Sequence, residues 1–157
     1  MRTTIVRTAR GAGGFSMAEL LVVCAILGIL ATASIPFFLT YYQAAALKSS
    51  AEELAAFLNQ GRQQAIRQNQ PMCVVTASGA IRLKIGTCAG TTWLGTNTDA
   101  SGNLKPPSGF SLSSTANPIF NYLGAAAPAA TYTVTNTANN RTMTVTVAAS
   151  GRITIGP

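Results

Sequence analysis

A continuous apolar segment occupies residues 15–35 of this 157-residue chain. The segment contains no Lys, Arg, Asp, Asn or Gln, and Glu19 is its only charged side chain. In a helix these residues span roughly 30 Å, which is about the thickness of a bilayer hydrocarbon core. The pattern therefore predicts a membrane helix that carries one acid. Because an acid inside a membrane is costly, we expect Glu19 to have a partner there.

After Pro36 the sequence stays helical in pattern but becomes amphipathic. Apolar residues recur at steps of three, four and seven at Leu47, Ala51, Leu54, Leu58 and Ala65. Polar side chains occupy other faces at Lys48, Glu52, Glu53, Gln63, Arg67 and Gln68. The pattern predicts one long helix from about Phe15 to Asn69, which Pro71 ends. We expect Pro36 to bend this helix, since proline removes a backbone hydrogen bond and clashes with the preceding turn.

From Met72 onward the chain is rich in Thr, Val, Ile, Gly and Ala, which favours strands and turns. A hairpin about Ser78-Gly79 is expected. The predicted strands are Met72 to Ala77, Ala80 to Gly86, Phe110 to Ser114, Ile119 to Tyr122, Ala130 to Thr137, Thr142 to Ala148 and Ile153 to Ile155. Between them, the Gly-, Asn-, Pro- and Ser-rich stretch from Gly90 to Gly109 is predicted to be an exposed loop. The whole pattern indicates an α+β chain with a single β-rich head.

The distribution of charge predicts the side of the membrane on which each end of the apolar segment lies. The formal net charge is +7, and three of the eleven basic residues, Arg2, Arg7 and Arg10, precede the segment without any acid among the first fourteen positions. By the positive-inside rule the N-terminus stays cytoplasmic and the remainder is exported. From Phe15 onward the chain has eight basic residues and four acids, so its formal charge is about +4. A secretory peptide cut near Ala31-Thr32-Ala33 is the alternative, but it leaves Glu19 unexplained.

Two of the three cysteines lie on the arms of the predicted hairpin. Cys73 and Cys88 are close to equidistant from its turn, so an oxidising periplasm favours a disulfide between them over two free thiols. Closing a loop of about 15 residues stabilises a fold by roughly 3 kcal/mol. Cys24 lies in the membrane segment and is interpreted as a small apolar residue.

The inventory of reactive side chains argues against an enzyme. The chain has no histidine, and Asp99 is its only aspartate. The other acids are the membrane Glu19 and two helix glutamates, so neither a paired-carboxylate nor a histidine-based site can be assembled. There is no plausible metal cluster and no Gly-rich phosphate loop. We therefore predict no catalytic activity, cofactor, metal or small-molecule substrate.

The sequence Gly-Phe-Ser-Met-Ala-Glu-Leu-Leu-Val-Val at residues 14–23 resembles the class III signal of type IV prepilins and type II secretion pseudopilins. The resemblance implies that a membrane prepilin peptidase cuts after Gly14 and methylates the new N-terminal Phe15. Glu19 is then the fifth mature residue and Pro36 the twenty-second, as in that family. It also implies that Glu19 pairs with the N-terminal amine of a neighbouring subunit, which relieves the desolvation of both charges.

This resemblance divides the chain into four parts. They are a leader at 1–14, an assembly helix at 15–36, an amphipathic helix at 37–70 and a β-rich head at 71–157. The implied location is the bacterial inner membrane, with a cytoplasmic N-terminus and a periplasmic head. From there the subunit enters a periplasmic or surface filament.

The remainder resembles the GspH/FimT group of minor pseudopilins and minor pilins. The similar features are Arg62, Ala65 and Ile66 in the second half of the helix, the turn from Phe120 to Gly124, and Gly151-Arg152-Ile153-Thr154-Ile155 near the end. The resemblance implies a type IV pilin-like fold. It further implies a structural subunit, assembled with other pilins or pseudopilins, that primes or caps a type IV pilus or a type II secretion pseudopilus.

Some members of this group bind double-stranded DNA in natural transformation through a Gly-Arg-x-Arg motif, which provides an alternative function. Gly151 and Arg152 match that motif, but Thr154 replaces its second arginine. Losing one of two neighbouring cations weakens phosphate binding. The candidate DNA contacts are Arg152, Arg141 and Lys105, with Arg82 and Lys84 as further cations. The competing interpretation is that these are solvated charges on strands and turns.

Overall fold

One long helix precedes the strands. The structure, a computed structural model, describes residues 14–95 and 97–157, so the basic residues of the leader lie outside the described residues. Helix α1 runs over Met17–Gln68, 52 residues, close to the predicted range. Its helical conformation continues through Pro36. The bend at that residue stays a prediction.

The C-terminus of α1 has a cap that its sequence explains. Asn69 adopts a left-handed φ of 50°. The amide of Gln70 then donates to the carbonyl of Ala65 at 3.2 Å. This arrangement satisfies a carbonyl that the helix leaves open, and asparagine tolerates the left-handed conformation better than most residues. Pro71 follows and cannot continue the helix.

Within the described residues, nine strands form two antiparallel sheets. The first sheet contains β1 Met72–Ala77, β2 Ala80–Ile85, β3 Asn103–Leu104, β5 Ile119–Phe120 and β6 Ala126–Ala127, in the order β3-β2-β1-β5-β6. The second contains β4 Phe110–Ser114, β7 Ala130–Asn136, β8 Thr142–Val147 and β9 Ile153–Gly156, in the order β4-β7-β8-β9. The predicted α+β class and the β-rich head are confirmed.

The predicted hairpin is present, with Thr76 opposite Ile81 and Ala77 opposite Ala80. Ser78 and Gly79 have φ angles of 51° and 70°. Positive φ at both central residues is the pattern of a two-residue turn that matches the right-handed twist of the strands. The predicted β2 was one residue too long, because Gly86 turns away with a φ of 81°.

The stretch from Gly90 to Gly109 was wrongly predicted to be only an exposed loop. It contains β3, and Leu104 in that strand is buried in the core. The Asp99 carboxylate orders the preceding turn by accepting hydrogen bonds from the amides of Ser101 and Asn103, both at 2.8 Å. The hydrogen bonds from Asn103 are the main reason that the pKa of Asp99 lies below its ordinary value.

The core lies between the second half of α1 and the two sheets. All five apolar positions predicted from the helical period are buried: Leu47, Ala51, Leu54, Leu58 and Ala65. They pack with alternating residues of both sheets, such as Val74 and Leu83 in the first sheet and Tyr132 and Val145 in the second. The second half of α1 thus serves both sheets as a common spine.

Gly61 lies close to Leu83 of the first sheet. A Cβ atom built on Gly61 would lie 2.7 Å from Cδ2 of Leu83. Any larger residue would therefore displace the fully buried Leu83 side chain from its place. The glycine that weakens the helical pattern of the sequence is explained by this packing.

The two cysteines of the head are joined in a disulfide. Cys73 lies in β1 and Cys88 follows β2, with their Cα atoms 5.0 Å apart. Cys73 is fully buried, so the bond connects the core to the loop after the hairpin. Cys24 is a free, exposed cysteine on α1.

Three distant segments meet at a junction formed by Arg62, Gly124 and Gly151. The Nε of Arg62 donates to the carbonyl of Gly124 at 2.9 Å. A Cβ atom on Gly151 would collide with that same carbonyl oxygen. Gly151 also has a φ of 78°, which L-residues with side chains rarely adopt. The junction therefore connects α1, the turn after β5 and the turn between β8 and β9.

The chain divides into two compact units between Thr40 and Tyr41. The amphipathic half of α1 consequently belongs to the same unit as both sheets. The apolar half belongs to the other unit.

We expect Gly151→Ala to destabilise the head strongly. The substitution imposes an unfavourable left-handed conformation and a clash with Gly124, together about 2 kcal/mol or more. Gly86→Ala is the matched control, because Gly86 has a similar φ of 81° but open space around its Cβ position. Urea unfolding of the purified protein measures both variants. Equal losses in the two variants would contradict the proposed role of the Gly124 carbonyl.

Removing the disulfide should destabilise the same unit. Loop closure by a bond that spans 15 residues stabilises a fold by roughly 3 kcal/mol. We expect reduction of the native disulfide to lower the free energy of unfolding by about this amount, with Cys24→Ala as background to exclude thiol exchange. Equal urea midpoints with and without reductant would show that the disulfide does not contribute to the stability of the head.

Candidate functional site

The first candidate site is the N-terminus of α1. Gly14, Phe15 and Ser16 precede the helix in irregular conformation. Gly14 has no atom within 4 Å of the place where a Cβ would stand. Phe15 is 78% exposed. The backbone around the predicted cleavage point is thus unhindered by the described residues of the chain.

Glu19 caps its own helix. The Ser16 hydroxyl accepts a hydrogen bond from the amide of Ala18, and the Glu19 carboxylate accepts one from the amide of Ser16, both at 3.2 Å. The two bonds form a variant of the capping box, in which the serine hydroxyl binds the second helical amide instead of the third, and they satisfy two amides that the first turn leaves open. The position of the acid in the first turn also complements the positive end of the helix dipole.

The helix that follows is apolar and uncovered. Every described side chain from 15 to 35 is exposed. An 18-residue window of α1 has a mean hydropathy of 2.5. By length and composition the helix is long and apolar enough to cross a membrane. In water such a surface is strongly unfavourable, so lipid or neighbouring helices are required to cover it.

The second candidate site comprises the three cations considered for DNA binding. Arg141 belongs to the turn between β7 and β8, where its amide donates to Oδ1 of Asn139 at 3.0 Å. The side-chain amide of Asn139 donates to Oε1 of Gln43 on α1 at 2.9 Å. Arg141 therefore lies near the first turn of the spine that belongs to the head.

Lys105 and Arg152 lie at other levels of the spine. Lys105 lines a shallow cavity with Ser50 and Glu53. Arg152 follows Gly151, which packs near Arg62. At 1.5 Å per residue, Glu53 lies about 15 Å beyond Gln43 along the helix, and Arg62 lies about 28 Å beyond it. The structure thus spreads the three cations along the head instead of collecting them at one point.

Among residues 14–95 and 97–157 there is no group of three or more His, Cys, Asp or Glu that could hold a metal ion. The hydroxyl of Tyr132 is buried, and burial raises its pKa above the ordinary value. That group is therefore unsuited to proton transfer at neutral pH.

Sequence reasoning missed two features of these sites. The capping box was legible in Ser16-Met17-Ala18-Glu19, since a Ser followed three residues later by Glu is its signature. The structural role of Gly151 was not legible, because its partners Gly124 and Arg62 are far away in sequence. The glycine of the candidate DNA motif is thus explained by packing.

Two family models match the chain. The model of the type II transport protein GspH covers residues 50–151. The model of the prokaryotic N-terminal methylation motif covers residues 9–35. No curated protein matches the sequence.

Solved structures of two proteins share the fold. The type IV minor pilin FimU of Pseudomonas aeruginosa has a TM-score of 0.54 at 19% identity, over 74% of this chain and 92% of FimU. The minor pseudopilin EpsH of the Vibrio cholerae type 2 secretion system has a TM-score of 0.56 at 14% identity, over 69% of this chain and 94% of EpsH. These similarities confirm the pilin-like fold predicted from the sequence. Because the GspH model matches about two thirds of its length, the chain belongs to the GspH family of type II transport proteins.

Proposed function

We propose that the protein is a minor pilin or pseudopilin, a structural subunit that primes or caps assembly of a type IV pilus or type II secretion pseudopilus. The observation that carries this proposal is the contrast between the two parts of α1. One face of the second part packs into the core of the head, whereas the described residues from 15 to 35 have no buried side chain. A subunit that enters a filament by packing helices together requires this combination.

The precursor is proposed to be a single-pass protein of the bacterial inner membrane. Its basic leader stays in the cytoplasm and its head lies in the periplasm, where the disulfide between Cys73 and Cys88 is stable. Prepilin peptidase removes residues 1–14 and methylates Phe15. The match of the methylation motif over residues 9–35 supports this step.

Glu19 is proposed to guide assembly. A carboxylate offers about four lone-pair sites, so the hydrogen bond from Ser16 leaves capacity for a second donor. The N-terminal amine of a neighbouring Phe15 is a donor of the right charge, because cleavage creates it at the start of the same apolar helix. Pairing the two charges offsets the cost of holding each inside the membrane.

The proposed role of Glu19 is tested with two substitutions. Glu19→Gln retains the capping box, since Gln also serves at this position, but removes the charge. Glu19→Ala removes both. We expect each variant to reach the membrane normally and to fall at least about ten-fold in sheared filaments, because a lost ion pair worth 1.4 kcal/mol already corresponds to that factor. Immunoblots of membrane and filament fractions measure the ratio. Normal incorporation of Glu19→Gln would assign the acid to helix capping alone.

Processing has its own expected result. Mass spectrometry of the exported protein should identify Phe15 as the first residue, with one added methyl group. Gly14→Val should accumulate as the full-length precursor, because a β-branched residue restricts the backbone at the cut. Gly28→Ala is the control, since its Cβ position is also open and it lies outside the signal. An intact Met1 or a start near Ala33 in the native protein would overturn the proposed topology.

A further inference from the structure

The turn between β7 and β8 docks at the start of the head part of α1. Asn139 contacts Gln43 through the 2.9 Å hydrogen bond between their side chains. The turn itself is held by the amide of Asn140, which donates to the carbonyl of Asn136 at 2.9 Å. Residues 137–141 are all exposed. The turn therefore forms an ordered, exposed surface beside the first residues of the unit that begins at Tyr41.

Two tyrosines precede Gln43 on the helix and are uncovered. Tyr41 is 74% exposed and Tyr42 is 64% exposed. Such rings, with an apolar body and a polar tip, are enriched at the level of lipid headgroups. We define Tyr41, Tyr42 and Arg141 as the basal surface of the head.

The two tyrosines of the basal surface follow the apolar run closely in sequence. Tyr41 follows Ile35, the last residue of the apolar run, by six positions, which span about 9 Å in a helix. The headgroup region on each side of a bilayer is about 5 to 8 Å thick, the difference between total and hydrocarbon thickness. When the apolar run spans a bilayer, the tyrosines reach the outer edge of that region.

The charge of the basal surface suits phosphate-bearing lipids. Arg141 is exposed and is the only charged residue between 137 and 151, and no charge occurs from 36 to 47. The nearest acids on the helix are Glu52 and Glu53, about 14 Å beyond Gln43, and Glu52 pairs with Lys48 at 3.8 Å. Lipid phosphates would therefore meet a cation without a competing carboxylate on this surface.

We propose that the basal surface rests on the periplasmic leaflet before assembly, with Arg141 binding lipid phosphates and the two tyrosines lying among the headgroups. This inference rests on the proposed membrane-anchored state of the subunit. It assigns Arg141, one of the three cations considered for DNA, to a lipid surface. Entry into a filament then requires that these headgroup contacts be released.

The test uses the full chain in vesicles, with a fluorophore on an introduced Ala138→Cys in a Cys24→Ala background. Ala138 is exposed in the same turn, and labelling without reductant spares the native disulfide. A lipid with a headgroup spin label quenches the fluorophore when the turn is near the surface. One vesicle set contains phosphatidylcholine alone. The other contains phosphatidylcholine and phosphatidylglycerol in equal amounts. Flotation confirms anchoring of every variant, so a failure of anchoring is separated from a failure of docking.

We expect stronger quenching with phosphatidylglycerol, and weaker quenching as salt is added. Arg141→Gln should lower the ratio of docked to undocked heads about five-fold in anionic vesicles. Tyr41→Ser with Tyr42→Ser should lower quenching in both vesicle sets. Arg67→Gln is the matched control, because Arg67 is an exposed arginine about 36 Å farther along the helix than Gln43.

Three outcomes would overturn the proposal. The first is equal quenching in both vesicle sets for an anchored native chain. The second is an equal loss in Arg141→Gln and Arg67→Gln, which would indicate a nonspecific effect of net charge. The third is binding of duplex DNA that Arg141→Gln abolishes while lipid quenching stays unchanged, which would assign this arginine to nucleic acid.

Discussion

The rest of the structure depends on one unmet requirement, the covering of the apolar surface of residues 15–35. No described side chain of that segment is buried, so the chain cannot satisfy it alone. In the proposed function, lipid would satisfy it in the precursor and neighbouring helices would satisfy it in a filament, and a change between the two would leave the head's own core intact. The head has a core of its own, because twenty buried apolar residues among those that the structure describes form one cluster, and a disulfide spans its first hairpin.

The second half of α1 makes that independence possible. A single helix face packs on both sheets, and Gly61 lets Leu83 approach the helix axis. Arg62, one residue later, donates to Gly124 and thereby fixes the turn on which Gly151 packs. Because α1 is one continuous helix, the element that organises the head also carries the apolar segment that is proposed to enter the lipid.

Periodicity predicted what depends on local pattern. The helix face from Leu47 to Ala65 and the strands from Met72 to Ala77 and from Phe110 to Ser114 follow from spacing alone. The two-residue strands β3 and β6 were not predicted, since neither is long enough to display alternation. In addition, β6 consists of two alanines, which have little strand preference. The junction at Gly151 also escaped, because it is defined by contacts between residues 27 to 89 positions apart in sequence. The membrane signal was the most legible part of the site, since its residues lie next to each other.

The capping box changes how the acid of that signal is understood. An acid whose only task were to pair with a neighbour could occupy any exposed position of the first turn. Placed three residues after Ser16, Glu19 also holds the first turn in helical form and is itself held by the Ser16 amide. A fixed rotamer costs less entropy when a second donor arrives, so the local bond pre-organises the carboxylate. The capping contact and the proposed contact between subunits therefore reinforce each other, and one carboxylate can serve both.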